Sequence, residues 1–439
     1  MPVNNNLLLA FYGDDFTGST DALEFICKAG AKAVLFIEPP DAAVLNKFPV
    51  LDVIGIAGKT RALPADEMEQ VLNEAFQKMK VYNARHIHYK VCSTFDSSPQ
   101  TGSIGRVLDT GAAVFQNRPV PILGGTPSLG RYCVFGNLFA KMGIGSNGAV
   151  YRLDRHPSMS NHPVTPADES DLRLHLQKQT CKKLALMDIL QLRKPVNEWN
   201  NGIDAEEAVL LDAIDEEQLV KIGEWLDTEA LKKGASFFSI GSSAIEMALG
   251  NYWNRTGQLD AATNWNPPGK AESLLVVSGS CSPVTAAQIT WAKANGFEEV
   301  ILDAISVGND ATFENSVAVA NDYLRLQKNV IVHTGDKKET NLPSEKLGTA
   351  LGEIARRMAE QHTLKRVVIA GGDTSSYAAR AMEIDAVEMM APLVSGAPLC
   401  KALSKNKAID GLEVNFKGGQ VGSENYFGIL RNGRVGNNE

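Results

Sequence analysis

Residues 7–21 read Leu7-Leu8-Leu9-Ala10-Phe11-Tyr12-Gly13-Asp14-Asp15-Phe16-Thr17-Gly18-Ser19-Thr20-Asp21. The apolar run Leu7 to Tyr12 predicts a strand, Gly13-Asp14-Asp15 ends it, and the spacing from Ser19 to Ala29 predicts a helix. The same grammar of short apolar run, polar turn and amphipathic stretch recurs. Ala33 to Ile37, Val50 to Ala57 and His86 to Val91 read as strands, with helical spacing over Met68 to Met79. Leu274 to Val277, Val300 to Leu302, Asn329 to His333 and Arg366 to Ala370 repeat the pattern, and Ala286 to Ala294 reads as a helix. Such alternation predicts an α/β protein built of βαβ units, each sheet mainly parallel and flanked by helices. Between the two halves, Asn264-Trp265-Asn266-Pro267-Pro268-Gly269 continues neither regular element. The expectation is two domains, 1–262 and 263–439, with the active site in the interdomain cleft.

The 439 residues are 44% hydrophobic and 21% charged, which suits a globular chain of two or three domains and excludes a mainly disordered one. The formal net charge is −8, and neither half carries the basic excess of a phosphate-backbone binder, so nucleic acid is not an expected partner. A small anion remains compatible, because a local cluster of Arg and Lys binds one inside an acidic protein. Six cysteines are scattered without a C-x-x-C pair, which argues against a zinc ribbon or disulfide framework and fits a reducing compartment. The first residues lack a basic segment and a long apolar run, so the expected setting is cytoplasmic, with no membrane association. A homodimer is left open.

Four segments carry candidate chemistry. Asp14 and Asp15 follow a strand, at the edge where open α/β sheets bind ligands, and suit hydroxyl binding or general-base work; the alternative is a helix cap. Lys90-Val91-Cys92-Ser93-Thr94-Phe95-Asp96 also follows a strand. Its hydroxyls and Asp96 suit the OH groups of a polyol or sugar acid, and Lys90 a carboxylate; the alternative is a polar turn with a surface lysine. Arg61, after Gly58-Lys59-Thr60, is either a bidentate clamp for an anion or a solvated side chain. Cys92 lacks a local histidine that would make it a nucleophile.

In the segment Arg155-His156-Pro157-Ser158-Met159-Ser160-Asn161-His162-Pro163-Val164-Thr165-Pro166, the prolines force an irregular loop. His162 there serves either substrate hydrogen bonding or loop packing, and His156 and His162 lack the partners of a zinc site. In the second half, Ser278-Gly279-Ser280-Cys281-Ser282, Gly371-Gly372-Asp373-Thr374-Ser375 and Lys417-Gly418-Gly419-Gln420-Val421-Gly422 form three glycine turns. Backbone N–H groups and helix N-termini in such turns cradle phosphate. None matches the P-loop or the dinucleotide fingerprint. Together the two halves suggest phosphoryl transfer to a small polar molecule.

Asp14 to Asp21, Ser93 to Ser97, His162 to Pro166, Ser278 to Ser282 and Gly371 to Ser375 resemble, in order and over nearly the whole chain, the four-carbon acid sugar kinase family. The resemblance implies an N-terminal sugar-acid domain and a C-terminal nucleotide domain, with ATP and Mg²⁺ phosphorylating a terminal hydroxyl. The implied catalytic base is Asp15 or Asp14. The implied substrate residues are Asp14 or Asp15, Arg61, Lys90, Ser93 and Thr94, to which the reading of the residues adds Asp96 and His162. For the nucleotide they are Ser278, Ser280, Gly371, Gly372, Asp373, Thr374, Ser375 and Gly419; no metal ligand is implied. Family members act on threonate, erythronate, 3-oxo-tetronates and, in one branch, 3-oxo-isoapionate. Gly13, where many members have Ala, and the insert Arg155 to Ser160 resemble that last branch, whereas Ala167 departs from the Met that usually follows Thr-Pro. Two rival readings are a nucleotide-regulated, non-catalytic sugar-acid binder and an NAD-dependent oxidoreductase, the latter lacking its fingerprint.

Overall fold

In the computed structural model, all five residues of the strand Leu9–Gly13 are buried, as a central strand of a sheet covered on both faces requires. Its parallel neighbours are Val53–Ala57 on one side and His86–Lys90 on the other. Beyond His86–Lys90 the sheet continues through Phe237–Gly241, Val120–Leu123, Ala208–Leu211 and Leu184–Met187, every pair parallel. Helices Ala65–Val81, Ile104–Phe115, Glu216–Lys233 and Ala244–Thr256 supply the crossovers and cover the sheet. A small antiparallel sheet, Arg131–Val134, Asn137–Lys141 and Val150–Arg152, is inserted after Val120–Leu123. The described residues are 7–142, 148–162, 164–199, 203, 206–303, 310–335 and 343–434.

The chain forms two units: 1–14, 25–33 and 39–262 make the first, and 15–24, 34–38 and 263–439 the second. In the second, strands Phe297–Ile301, Asn329–His333, Leu274–Ser278, Arg366–Ala370 and Glu413–Lys417 are parallel in that order. Leu399–Leu403 and Ala386–Ala391 then add antiparallel, and Leu35 and Phe36 pair with Val387 and Ala386. The core packs the sheet residues Val276, Ile331 and Val368 against Phe427 and Leu430 of helix Tyr426–Asn432. Arg366, fully buried, is held by Glu413 and by the carbonyls of Leu430 and Gly269, so its charge is paired rather than stranded.

The first helix begins at Phe16, not at Ser19. Asp15 caps it: its Oδ1 accepts the Gly18 N–H at 2.7 Å, so the turn that reads as loop is already helical. The outer strand starts at Phe297 rather than Val300, because Glu298 and Glu299 occupy its half-buried positions beside Asn329–His333.

Candidate active site

Parallel strands bring their carboxyl ends to one edge, and the register of the first unit shows which residues share it. Ala57, Gly13, Lys90, Gly241 and Leu123 lie level. The next residues, Gly58 to Arg61, Asp14, Cys92 to Thr94, Ser242 and Gly124 to Thr126, therefore cluster at that edge. Asp14 is buried (4% exposed) and accepts from Arg61 at both oxygens, Nε to Oδ2 at 3.1 Å and Nη2 to Oδ1 at 2.8 Å, as well as from the Cys92 N–H at 3.2 Å. The Nε–Nη2 fork that the sequence offers to a ligand is thus turned toward Asp14. A guanidinium fork matches a carboxylate, and Asp14 presents one to it.

Lys90 is 3% exposed, and among the described residues its ammonium has no hydrogen-bond or ion-pair partner. A surface lysine it is not. Thr94 Oγ1 donates to Asp96 Oδ1 at 2.8 Å and lies 3.0 Å from Cys92 Sγ, while Phe95 takes a left-handed φ of +54° that folds this turn back on itself. Ser93 is half-buried beside them. Burial pushes the Cys92 thiol up to about 11, which leaves it protonated and non-nucleophilic at neutral pH.

His162 Nδ1 receives the Thr165 N–H at 3.1 Å and lies 3.0 Å from Thr165 Oγ1, so a neutral ring carries its proton on Nε2. His156 is buried, accepts from the N–H groups of Ser158 and Met159 and packs edge-on against Tyr151. Burial, and then Arg131, lower its proton affinity, which suits a neutral packing residue. Pro163 lies outside the described residues.

Some edge residues carried weak sequence signals. Arg131 starts the small sheet; its Nη1 donates to the carbonyls of Leu129, Gly130 and Lys141, and its buried Nε has no partner among the described residues. Burial lowers its proton affinity, while Cys92 and Asp96 act in the opposite direction. Ser242 and Thr126 share a short hydroxyl–hydroxyl contact. Gly241-Ser242-Ser243 after an apolar strand has the same grammar as Gly13-Asp14 and was the available signal. A separate cavity of about 490 Å³ lies at the opposite, amino-terminal edge, around Leu7, Ala84 and Ser236.

In the second unit, Ile301, His333, Ser278, Ala370 and Lys417 lie level at the carboxyl edge. Gly279 N–H donates to the Ala370 carbonyl and Gly371 N–H to that of Lys417, which stacks the three glycine turns side by side. A Cβ at Gly279 would meet Thr374 Oγ1 at 2.4 Å, and one at Gly419 would meet Ser280 Oγ at 3.2 Å, so Thr374, Ser280 and Gly419 converge. Gly371 has φ +128°, a backbone open only to glycine, and turns the chain into helix Gly372–Ala381. Ser375 Oγ ties back to the Gly371 carbonyl at 2.7 Å, and exposed Asp373 accepts from Ser344 Oγ at 3.4 Å.

Lys417 is wholly buried, not a loop residue. Its Nζ donates to Thr285 Oγ1 and the Gly418 carbonyl, each at 2.9 Å, and to the Gly419 carbonyl at 3.4 Å. With those carbonyls drawn inward, the turn directs its N–H groups away from the lysine. Burial pushes the Lys417 ammonium down to about 7.

The twin aspartates are divided between the units, Asp14 in the first and Asp15 in the second. Asp15 is 5% exposed, accepts from Thr17 Oγ1 at 2.9 Å as well as from Gly18, and its Oδ2 would lie 3.6 Å from a Cβ at Gly372. Phe16, packed on Phe416 with ring centroids 4.2 Å apart, fixes this end of the helix. Among the described residues no group of three or more His, Cys, Asp or Glu forms a metal cluster, and no helix is long and apolar enough to cross a membrane.

Residues 9–249 match the family model of a sugar-binding N-terminal domain and residues 275–427 that of a nucleotide-binding C-terminal domain. The chain is 40% identical to the 3-oxo-isoapionate kinase of Paraburkholderia graminis, covering 98% of this chain and 95% of that protein. It is 26% identical to the 3-oxo-tetronate kinase of Methylobacterium radiotolerans, with 96% and 98% covered. A crystal structure of a Salmonella typhimurium LT2 protein shares the fold, with a TM-score of 0.77 at 23% identity over 97% and 98% of the two chains. With both domain models in order and a 40% identical relative along almost its full length, the chain belongs to the four-carbon acid sugar kinase family.

Proposed function

We propose that this kinase uses ATP and Mg²⁺ to phosphorylate the terminal hydroxyl of a small sugar acid, with 3-oxo-isoapionate as the first substrate to try and 3-oxo-tetronate, threonate and erythronate next. The observation that carries the acid is Lys90. Lys90 is 3% exposed and among the described residues no anion pairs its ammonium, so a ligand carboxylate at this edge would give it a partner. The choice of 3-oxo-isoapionate rests on the Paraburkholderia graminis relative, together with Gly13 and the insert Arg155 to Ser160.

In this reading the acid's carboxylate binds Lys90, with Arg131 and Arg61 adding positive charge. Its hydroxyl and keto oxygens meet Asp14, Ser93, Thr94, Asp96 and His162. Asp15, or Asp14, accepts the proton of the attacking hydroxyl, while Ser278, Ser280, Gly371 to Ser375 and Gly419 hold the phosphates. Phosphoryl transfer asks chiefly for positioning and charge neutralisation, and these groups supply both. Magnesium on nucleotide phosphates needs only one or two protein carboxylates, which the pair Asp15 and Asp373 beside Gly372 fits, and its chemistry is to offset phosphate charge.

An ADP-release assay over a panel of four- and five-carbon sugar acids tests the reading. ADP formation that depends on one of these acids and on Mg²⁺ is the expected result. Binding of acid and ATP without turnover would instead make the chain a nucleotide-regulated binder.

A further inference from the structure

The strand His86–Lys90 is buried at all five positions, yet its alternate residues His86, His88 and Lys90 are basic and share one face of the sheet. An apolar core asks for none of them. The first two each meet a carboxylate from a covering helix. His86 Nε2 lies 3.0 Å from Oδ1 of Asp227, on helix Glu216–Lys233. His88 Nδ1 lies 2.6 Å from Oε1 of Glu246, in the first turn of helix Ala244–Thr256. Lys90, the third, has no such partner among the described residues.

His88 and Glu246 are both fully buried. His88 Nε2 lies 3.1 Å from the Gly241 carbonyl, which can only accept, so Nε2 carries a proton. A ring with that proton alone would face Glu246 through the lone pair of Nδ1. The 2.6 Å contact therefore holds a second proton between ring and carboxylate. Oε2 of Glu246 is buried without a partner among the described residues, so His88 is what holds this side chain.

The Gly241 carbonyl is where the pair reaches the sheet edge. It also accepts the Val91 N–H at 2.7 Å, just past the last paired residues of the two strands, Lys90 and Gly241. The carbonyl of the same peptide, on Lys90, accepts the Asp14 N–H at 2.9 Å, and the next N–H, of Cys92, donates to Asp14 Oδ2 at 3.2 Å. The Lys90–Val91 peptide is thus pinned on both sides, and His88 braces the pin on the Gly241 side. A ladder loosens at its end for want of a further rung, and a buried side-chain donor on the last acceptor opposes that.

We infer that His88 and Glu246 are positioning residues for the sugar acid. The pair locks the Gly241 carbonyl, the carbonyl locks the Lys90–Val91 peptide, and that peptide sets where the Lys90 ammonium and the Asp14 carboxylate stand for the ligand. Both act through other groups, without touching the acid. The inference rests on the reading that the first unit binds the acid, and it adds how the two charged groups are held there.

Steady-state kinetics of the full chain, run well below its Tm with the acid that supports ADP release (3-oxo-isoapionate first), test it in two variants. Glu246→Gln keeps a donor for Nδ1, so the ring keeps its proton on Nε2 and its hold on Gly241. Glu246→Leu leaves Nδ1 without a partner, and the ring is free to turn or to change tautomer. The expected result in Glu246→Leu is an acid KM raised about tenfold, with the KM for ATP unchanged and kcat within about threefold. In Glu246→Gln the acid KM is expected within about twofold of wild type. Destabilisation of Glu246→Leu with its acid KM unaltered would make the pair merely structural and overturn the inference. Nitrogen-15 NMR of the histidine-labelled wild-type chain gives a readout that needs no destabilised variant, His88 being the ring signal that Glu246→Gln displaces. That signal is expected to shift on saturation with the acid; a His88 ring that ignores the bound acid also overturns the inference. A wild-type chain that binds none of 3-oxo-isoapionate, 3-oxo-tetronate, threonate and erythronate overturns the reading of the first unit itself, and this inference with it.

Discussion

Asp15 can cap a helix or take a proton, and two substitutions separate those duties. Its Oδ1 accepts the Gly18 N–H at 2.7 Å and its Oδ2 the Thr17 hydroxyl at 2.9 Å. Asparagine keeps an acceptor oxygen for the N–H of Gly18 but has no basic carboxylate. Alanine removes both acceptors. Loss of a capping side chain costs about 0.5–2 kcal/mol, which corresponds to a Tm lower by roughly 1–8 °C for units of this size. Loss of a general base costs about 10²–10⁴ in kcat. Asp15→Asn is therefore expected to keep its Tm within about a degree, because the cap survives, and to lose about 10²–10⁴ in kcat with ATP affinity intact. Asp15→Ala is expected to lose the same kcat and, in addition, those degrees of stability. Steady-state ADP release and thermal unfolding of both variants make the comparison. Wild-type turnover by Asp15→Asn, with destabilisation confined to Asp15→Ala, would reduce Asp15 to a cap and refute the base assignment.

Lys90→Met is expected to raise the KM for the sugar acid about a hundredfold and leave the KM for ATP unchanged, since it removes a cation that has no anionic partner among the described residues. Arg131→Met is expected to raise the acid KM about tenfold without changing Tm by more than a few degrees; unaltered acid kinetics would confine Arg131 to holding its own loop. At Gly371, alanine would sit 2.7 Å from Thr374 Oγ1 at a φ of +128°. Gly371→Ala should weaken ATP about tenfold or more and leave binding of the acid intact, measured by separate titrations. Lys417, pushed down to about 7, is mostly unprotonated at pH 8, and a polyphosphate nearby favours the charged form. ATP binding at pH 8 should therefore take up a proton, and ATP affinity should weaken as pH rises from 7 to 9. Calorimetry in buffers of different ionisation enthalpy reads the uptake, which should vanish in Lys417→Met.

Strand ends were the legible part of this molecule. Gly13-Asp14, Lys90-Val91-Cys92, Ser278-Gly279-Ser280 and Ala370-Gly371 each show an apolar run stopped by small or polar residues, and a parallel sheet brings such stops to a common edge. What lies across from them is set by register between distant segments, which no local pattern encodes. Lys417 looks like a lysine opening a flexible glycine turn, yet it is the last residue of a fully buried strand. The Asp14–Arg61 fork joins residues 47 positions apart, so Arg61 reads from sequence only as an unpaired cation. Arg131 carries no local signal, because its small sheet has short, half-exposed strands with little alternation to mark them. The start of the first helix was displaced by a capping carboxylate, the one alternative that local sequence had already offered for Asp15.

Thr285 sits one turn inside its helix, yet its Oγ1 lies 3.0 Å from Ser280 Oγ, 3.3 Å from Ser282 Oγ and 2.9 Å from Lys417 Nζ, and donates to the Gly419 carbonyl at 3.2 Å. A single oxygen is thus the common node of two loops, Ser282 and Gly419 being 137 positions apart in sequence, and of the lysine beneath them. Drift in this region cannot proceed one position at a time. A lineage that enlarges residue 419 or shortens residue 282 must adjust 285 or 417 in the same step, so related kinases are expected to trade these four residues as a block, and grafting one of them alone into a relative should give a crippled hybrid.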